Sequence, residues 1–358
     1  MELKNMTDFE KSLQRFEAWW DRQIIDRPPV TIGVSTSKPR KTVAKHHASL
    51  RDRWLDGEYV LDLVEAGVES GVFMAETFPR YYPNLGPEIC SACYGSDLTF
   101  TEGSSWSTPV LKNIRDVLKM KPDLDAFYWQ WIRRQTQASV ERSAGRWITG
   151  IADLHTQGDL LASLREPQDF CLDFMDDLEG VELACRHVTP EFDTYFNDLY
   201  RFIKPTGQPC MTWGGAPHHA PMYYVSCDFI CMISPAHFAR TILPAIEYEI
   251  SRLDRSIFHL DGPGGLKHLD ALLATELDAI QWTYGAGQGS AKDWLPVYKR
   301  CQAAGKSIEI HIQSPEDARI VMDHLKPEGA WLACGFTVSE TEAKAFLKET
   351  ERWASGKR

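Results

Sequence analysis

Basic residues are in short supply in this chain: 39 Lys and Arg stand against 50 Asp and Glu, leaving a formal net charge of −11. No basic field exists to recruit phosphates, so a nucleic-acid partner is not expected. Long apolar runs are missing as well. The most apolar segment, Tyr223 to Ile233, is broken by Asp228 and is far too short to span a bilayer, so no membrane span is expected. The first twenty residues carry charges throughout and lack the apolar core of a secretory signal, and the nine cysteines are an odd number with no pairing framework. Both features fit a reducing compartment, and a cytoplasmic protein is expected. Cys90 and Cys93 form a lone CxxC without the second pair that a structural zinc requires. A glycine-rich dinucleotide fingerprint is also lacking.

What the chain does have is 43% apolar and 25% charged residues, an ordinary globular composition. Its 358 residues suffice for one large barrel with additions. Ser256-Ile257-Phe258-His259-Leu260-Asp261 reads as a strand that Gly262-Pro263-Gly264-Gly265 must end. His259 and Asp261 are two apart in that strand, so they share a face at its C-terminal end. Such a pair binds a metal, moves a proton or holds a polar substrate; its plain alternative is a mutual hydrogen bond or a helix cap.

The same unit, an apolar run with a polar end and then a helix, recurs along the chain. Val72-Phe73-Met74-Ala75 runs into Glu76, Arg146–Ala152 into Asp153-Leu154-His155, and Pro209–Trp213 into a turn carrying His218 and His219. Asp228 to Ile233 is a further short strand candidate, and Ser234-Pro235 is a helix start with Ser as cap and Pro at the first position. Ala279–Trp282 precedes Tyr284-Gly285, Ile308–Ile312 carries His311, and Ala330–Ala333 ends in Cys334-Gly335. About eight such units predict an α/β fold, a single (β/α)8 barrel over residues 71–358 with an N-terminal helical extension over 1–70. Phe100 to Val110 is expected to be a hairpin excursion. In a barrel the strand C-termini converge, which gathers Glu76, Asp153, His155, His259, Asp261, His311 and Cys334 on one face.

Ile233-Ser234-Pro235-Ala236-His237-Phe238 with Leu243-Pro244, then Phe258-His259-Leu260-Asp261-Gly262, then Cys334-Gly335, resemble in their order the uroporphyrinogen decarboxylase superfamily, nearer its corrinoid-linked methyltransferase branch. In that branch a His-x-Cys pair and a later Cys hold zinc, so the resemblance implies His259, Asp261 and Cys334 as metal ligands. Asp261 stands where the pattern has a thiolate, which makes the site harder and less suited to a thiol acceptor. Asp153-Leu154-His155-Thr156-Gln157-Gly158 matches a short cobalamin-binding signature, but it is read here as a strand end, and any corrinoid is expected on a separate partner protein.

The resemblance therefore implies a zinc-dependent transferase of a methyl or other small group, acting on a small polar substrate. Asp153, His155 and Glu76 are the expected proton-moving residues. Trp282, Tyr284, His218 and His311 are candidates for substrate binding. Three of them have an alternative: Trp282 in the barrel core, His218 on the loop surface, His311 pointing outward or satisfying a core hydrogen bond. The rival function is a metal-independent lyase or decarboxylase using the same carboxylates. A non-catalytic ligand-binding barrel is the third reading.

Overall fold

The computed structural model describes residues 3–6 and 8–356, so Met1, Glu2 and Thr7 of the expected extension, and Lys357 and Arg358 of the expected barrel, lie outside the described residues. Eight parallel strands set out the architecture: β1 (Val30–Val34), β2 (Arg80–Tyr81), β3 (Ile148–Thr149), β4 (Met222–Ser226), β5 (Arg255–Asp261), β6 (Ala279–Thr283), β7 (Ser307–Ile312) and β8 (Ala330–Val338). Helical segments follow every one of them, which is the βα repeat of an α/β barrel. Six strands form a continuous parallel sheet in the order β1-β8-β7-β6-β5-β4, and β2 pairs with β3.

Irregular backbone bridges the two parts. Glu76 N–H donates to the Val30 carbonyl at 3.0 Å, and Ile151 N–H to the Met211 carbonyl at 2.9 Å. An antiparallel bridge between Cys210 and His218 folds the segment beside β4 back on itself. The strand Val30–Val34 lies inside the stretch expected as an extension, yet it pairs with β8 and belongs to the ring. The expected hairpin is present, as Leu98–Phe100 against Ser105–Ser107. Three expected strands are not, and of Pro209–Trp213 only the isolated bridge at Cys210 remains. Ala75 takes a left-handed φ of 52°, which breaks the Val72–Ala75 run. Asp228–Met232 is a short 3₁₀ turn, and the strand lies just before it, at Met222–Ser226.

The N-terminal helix Phe9–Trp20 plugs the lower end of the barrel, where the strands begin. Its apolar positions Phe9, Phe16, Trp19 and Trp20 are all buried. The helical spacing puts them on one stripe, and each large ring buried contributes roughly 1.5–3 kcal/mol. Trp331 of β8 packs on edge against Phe16 and Trp19. The Ser307 hydroxyl donates to the Trp19 carbonyl at 2.6 Å, and the Trp20 indole N–H donates to the Pro217 carbonyl at 3.0 Å. This end is closed by packing, which leaves the strand C-termini as the open face.

Candidate functional site

Strand register and alternation decide which side chains enter the barrel. Ser226, His259, Gln281, Glu309 and Trp331 lie on one level of neighbouring strands. Asp261 beside Thr283, and His311 beside Ala333, lie one level higher. The alternate residues Leu260, Trp282, Ile310 and Leu332 are fully buried on the other face, under the helices. The period of two therefore sends His259 and Asp261 into the lumen.

There they meet Asp228, which the 3₁₀ turn after β4 delivers. One donor atom from each of Asp228, His259 and Asp261 lies within 4.8 Å of the others. The amide oxygen of Gln281 accepts the His259 Nδ1–H, which fixes the ring and leaves Nε2 as the free nitrogen. Asp228 Oδ1 is enclosed and has no hydrogen-bond partner. Burial, and then the charge of Asp159, push the Asp228 carboxyl up to about 6. The Trp213 ring packs on edge against His259 with centroids 5.0 Å apart, shielding the imidazole from water.

A second group, His155, Asp159 and Asp228, shares Asp228 with the first. His155 Nδ1 lies 3.1 Å from Asp159 and its Nε2 3.6 Å from Asp153. Burial opposes a charge on His155, but these two carboxylates prevail and raise its pKa well above the ordinary imidazole value. Asp159 also accepts the backbone N–H of Asp228 at 2.9 Å and of Phe229 at 2.8 Å. Its oxygens are thus committed to anchoring the turn and the imidazole, which leaves Asp228, His259 and Asp261 as the set with donor atoms to spare. Asp153 keeps one enclosed oxygen, Oδ1, without a partner. Sequence reasoning missed Asp159 and Asp228 as site residues. The available signals were the helical i+4 spacing of Asp159 from His155 and the lone charge inside the most apolar run.

Cys334 is not brought to this cluster. It pairs with Ile312 and shares the face of Leu332, opposite to that of Ala333 and Trp331, on a strand three places from β5. Burial and the charge of Asp317, on the helix Pro315–His324 outside the barrel, push its thiol above the ordinary range. Among the described residues, no group of three clustered donor residues includes a cysteine.

Glu76 is likewise occupied. It is fully buried and accepts from Arg15 at 3.0 Å, Arg27 at 2.6 Å and the Val30 N–H at 2.7 Å. It precedes β2 instead of ending a strand, and it clamps the N-terminal helix to β1. Trp282 is buried on the helix side against Trp294, and Tyr284 stacks on the same indole while its hydroxyl donates to the His311 carbonyl at 3.0 Å. Neither faces the lumen. His218 lies at the plugged end, its Nδ1 3.0 Å from Glu17 and its ring against Trp20. His311 does face the lumen, with Nε2 enclosed, unpartnered and 3.6 Å from Glu309.

No protein-family model and no curated protein matches the chain. Solved structures do match, among them a B12-independent methionine synthase from Shewanella sp. W3-18-1 in complex with selenomethionine. It is 10% identical, with a TM-score of 0.40, over 93% of this chain and 97% of that one. Among the described residues no helix is long and apolar enough to cross a membrane.

Proposed function

We propose that this chain is a metal-dependent enzyme that transfers a methyl or other small group on a small polar substrate, with Asp228, His259 and Asp261 holding the ion. The observation that supports this most directly is the donor set itself. Three lumen-facing residues converge, the imidazole is already oriented by Gln281, and Asp228 offers an enclosed oxygen that no protein group satisfies. An enclosed acceptor left unpaired is costly unless something fills it.

Two carboxylates and one imidazole fit zinc with an open position, and they also suit harder divalent ions; without a thiolate the site is a poor one for activating a thiol. Such an ion supplies Lewis-acid polarisation of a substrate oxygen when bound. The chain's own residues do the rest. Gln281 orients His259, Asp159 holds the turn that carries Asp228, and Trp213 excludes water. His155, held between Asp153 and Asp159, keeps a proton at the edge of the cluster. Enclosed between those carboxylates, its ring is not offered to a corrinoid on a docked protein.

The test is reconstitution. Zinc added to chelated protein should raise the thermal midpoint of the wild type, and it should leave His259→Ala and Asp261→Asn unmoved. Equal stabilisation of all three would refute the assignment. The Asp153–His155 pair favours one second reading, a metal-independent lyase. In that case turnover survives chelation and disappears in Asp153→Asn.

A further inference from the structure

Beside the metal cluster lies a cavity of about 250 Å³ between β1, β2 and β8, with Thr31, Glu76, Arg80, Gly215, Glu309 and Trp331 in its wall. Arg80 is the unusual member. It is carried by the first residue of β2, and Nη1 donates to the carbonyls of Thr212, at 3.3 Å, and Trp213. Among the described residues it has no ion pair and no other hydrogen-bond partner, so Nε and Nη2 remain free. The protein crowded around the guanidinium draws its pKa below the ordinary value, against the partial compensation of Tyr224, Tyr82 and Glu309. The Arg80 side chain is exposed to the cavity, so its free guanidinium edge is open to an anion there.

We propose that this cavity is the substrate's anion pocket and that Arg80 takes the carboxylate of a small monocarboxylic acid. The proposal deepens the reading above and rests on it in taking the Asp228–His259–Asp261 cluster as the reaction centre. The free edge of a guanidinium matches a carboxylate with two parallel N–H donors. At roughly 30 Å³ per water the cavity holds about eight waters, enough for a carboxylate and a few further heavy atoms.

Charge favours a monoanion over a phosphate. Two carboxylates stand in the same wall. The charge of Glu76 is compensated by Arg15 and Arg27, but Glu309 has the Tyr224 hydroxyl, at 2.8 Å, and His311 Nε2, at 3.6 Å, with no Arg or Lys among the described residues paired to it. A dianion would be repelled by Glu309 more strongly. Trp213 ties the pocket to the cluster: its carbonyl accepts from Arg80 and its ring packs on His259. Trp213 thereby stands between Arg80 and the proposed metal ligand His259.

The experiment is a calorimetric titration of the full chain with sodium acetate, with sodium phosphate as the second probe and chloride at matched ionic strength as the baseline. Acetate should bind the wild type, about tenfold or more weakly to Arg80→Gln, and with intermediate strength to Arg80→Lys. Gly215→Ala is the second variant. A methyl there meets Arg80 at 3.6 Å and Trp331 at 3.5 Å, ordinary contacts that preserve the fold while crowding the guanidinium edge. It should weaken acetate several-fold, and it decides the matter if circular dichroism shows Arg80→Gln unfolded. Asp261→Asn should bind acetate as the wild type does, so failure of the metal assignment leaves this result intact. Failure of the wild type to bind acetate, equal affinity in the wild type and the folded variants, or tighter binding of phosphate than of acetate would each overturn the proposal.

Discussion

His259 and Gln281 sit side by side on neighbouring strands, and the Gln281 amide oxygen accepts the His259 Nδ1–H. Orientation of a ligating imidazole through its second nitrogen is a recurrent feature of metal sites, and removing the partner typically weakens binding ten- to a hundredfold. Gln281→Leu is therefore expected to lower metal affinity by about that factor while retaining the fold. Competition against a chelator of known affinity measures it, and an unchanged affinity would show that the hydrogen bond merely packs the strand.

Glu76 is expected to matter for stability. Its carboxylate faces Arg15 and Arg27; Arg15 keeps Asp26, so Glu76→Gln leaves the buried Arg27 guanidinium short of a counter-charge. Breaking a buried pair from one side costs about 3–5 kcal/mol. Urea denaturation should show a loss of that order with an unchanged slope. A loss below about 1 kcal/mol would mean that the clamp is dispensable.

Glu249 sets a pH dependence. It is fully buried, and burial pushes it up to about 8, although the Thr156 hydroxyl donates to it and pulls the other way. An unfolded glutamate titrates near 4.5. The folded state therefore binds the proton more tightly, so this contribution is fully present below pH 4.5 and is lost as pH rises toward 8. Glu249→Gln keeps the neutral form at every pH. Relative to the wild type it should gain on the order of 4 kcal/mol by pH 8 and almost nothing at pH 4.5. A difference that does not vary with pH would contradict the assignment.

Much of the architecture was legible because the strands announce themselves: apolar runs such as Ile308–Ile312 end in polar groups and lead into helices. That His259 and Asp261 share a face was legible for the same reason, since a spacing of two in a strand fixes it. The errors have physical causes. Cys334 was read from its place at a strand end, but facing is set by alternation, and the cysteine is out of phase with Trp331 and Ala333. Glu76 resembled a site carboxylate because its partners, 61 and 49 residues away in sequence, become visible only on folding. Asp228 was read inside a strand, and the 3₁₀ turn that aims it at His259 depends on backbone hydrogen bonds to Asp159, which local propensity does not encode.

The measurement that bears most directly on the central claim is elemental analysis of protein purified without chelator, comparing the wild type with His259→Ala and Cys334→Ala. About one divalent ion per chain is expected in the wild type, as a single three-ligand site requires, with the same content in Cys334→Ala and a sharp loss in His259→Ala. Metal that departs with Cys334, or a wild-type chain that carries and takes up none, would contradict the account.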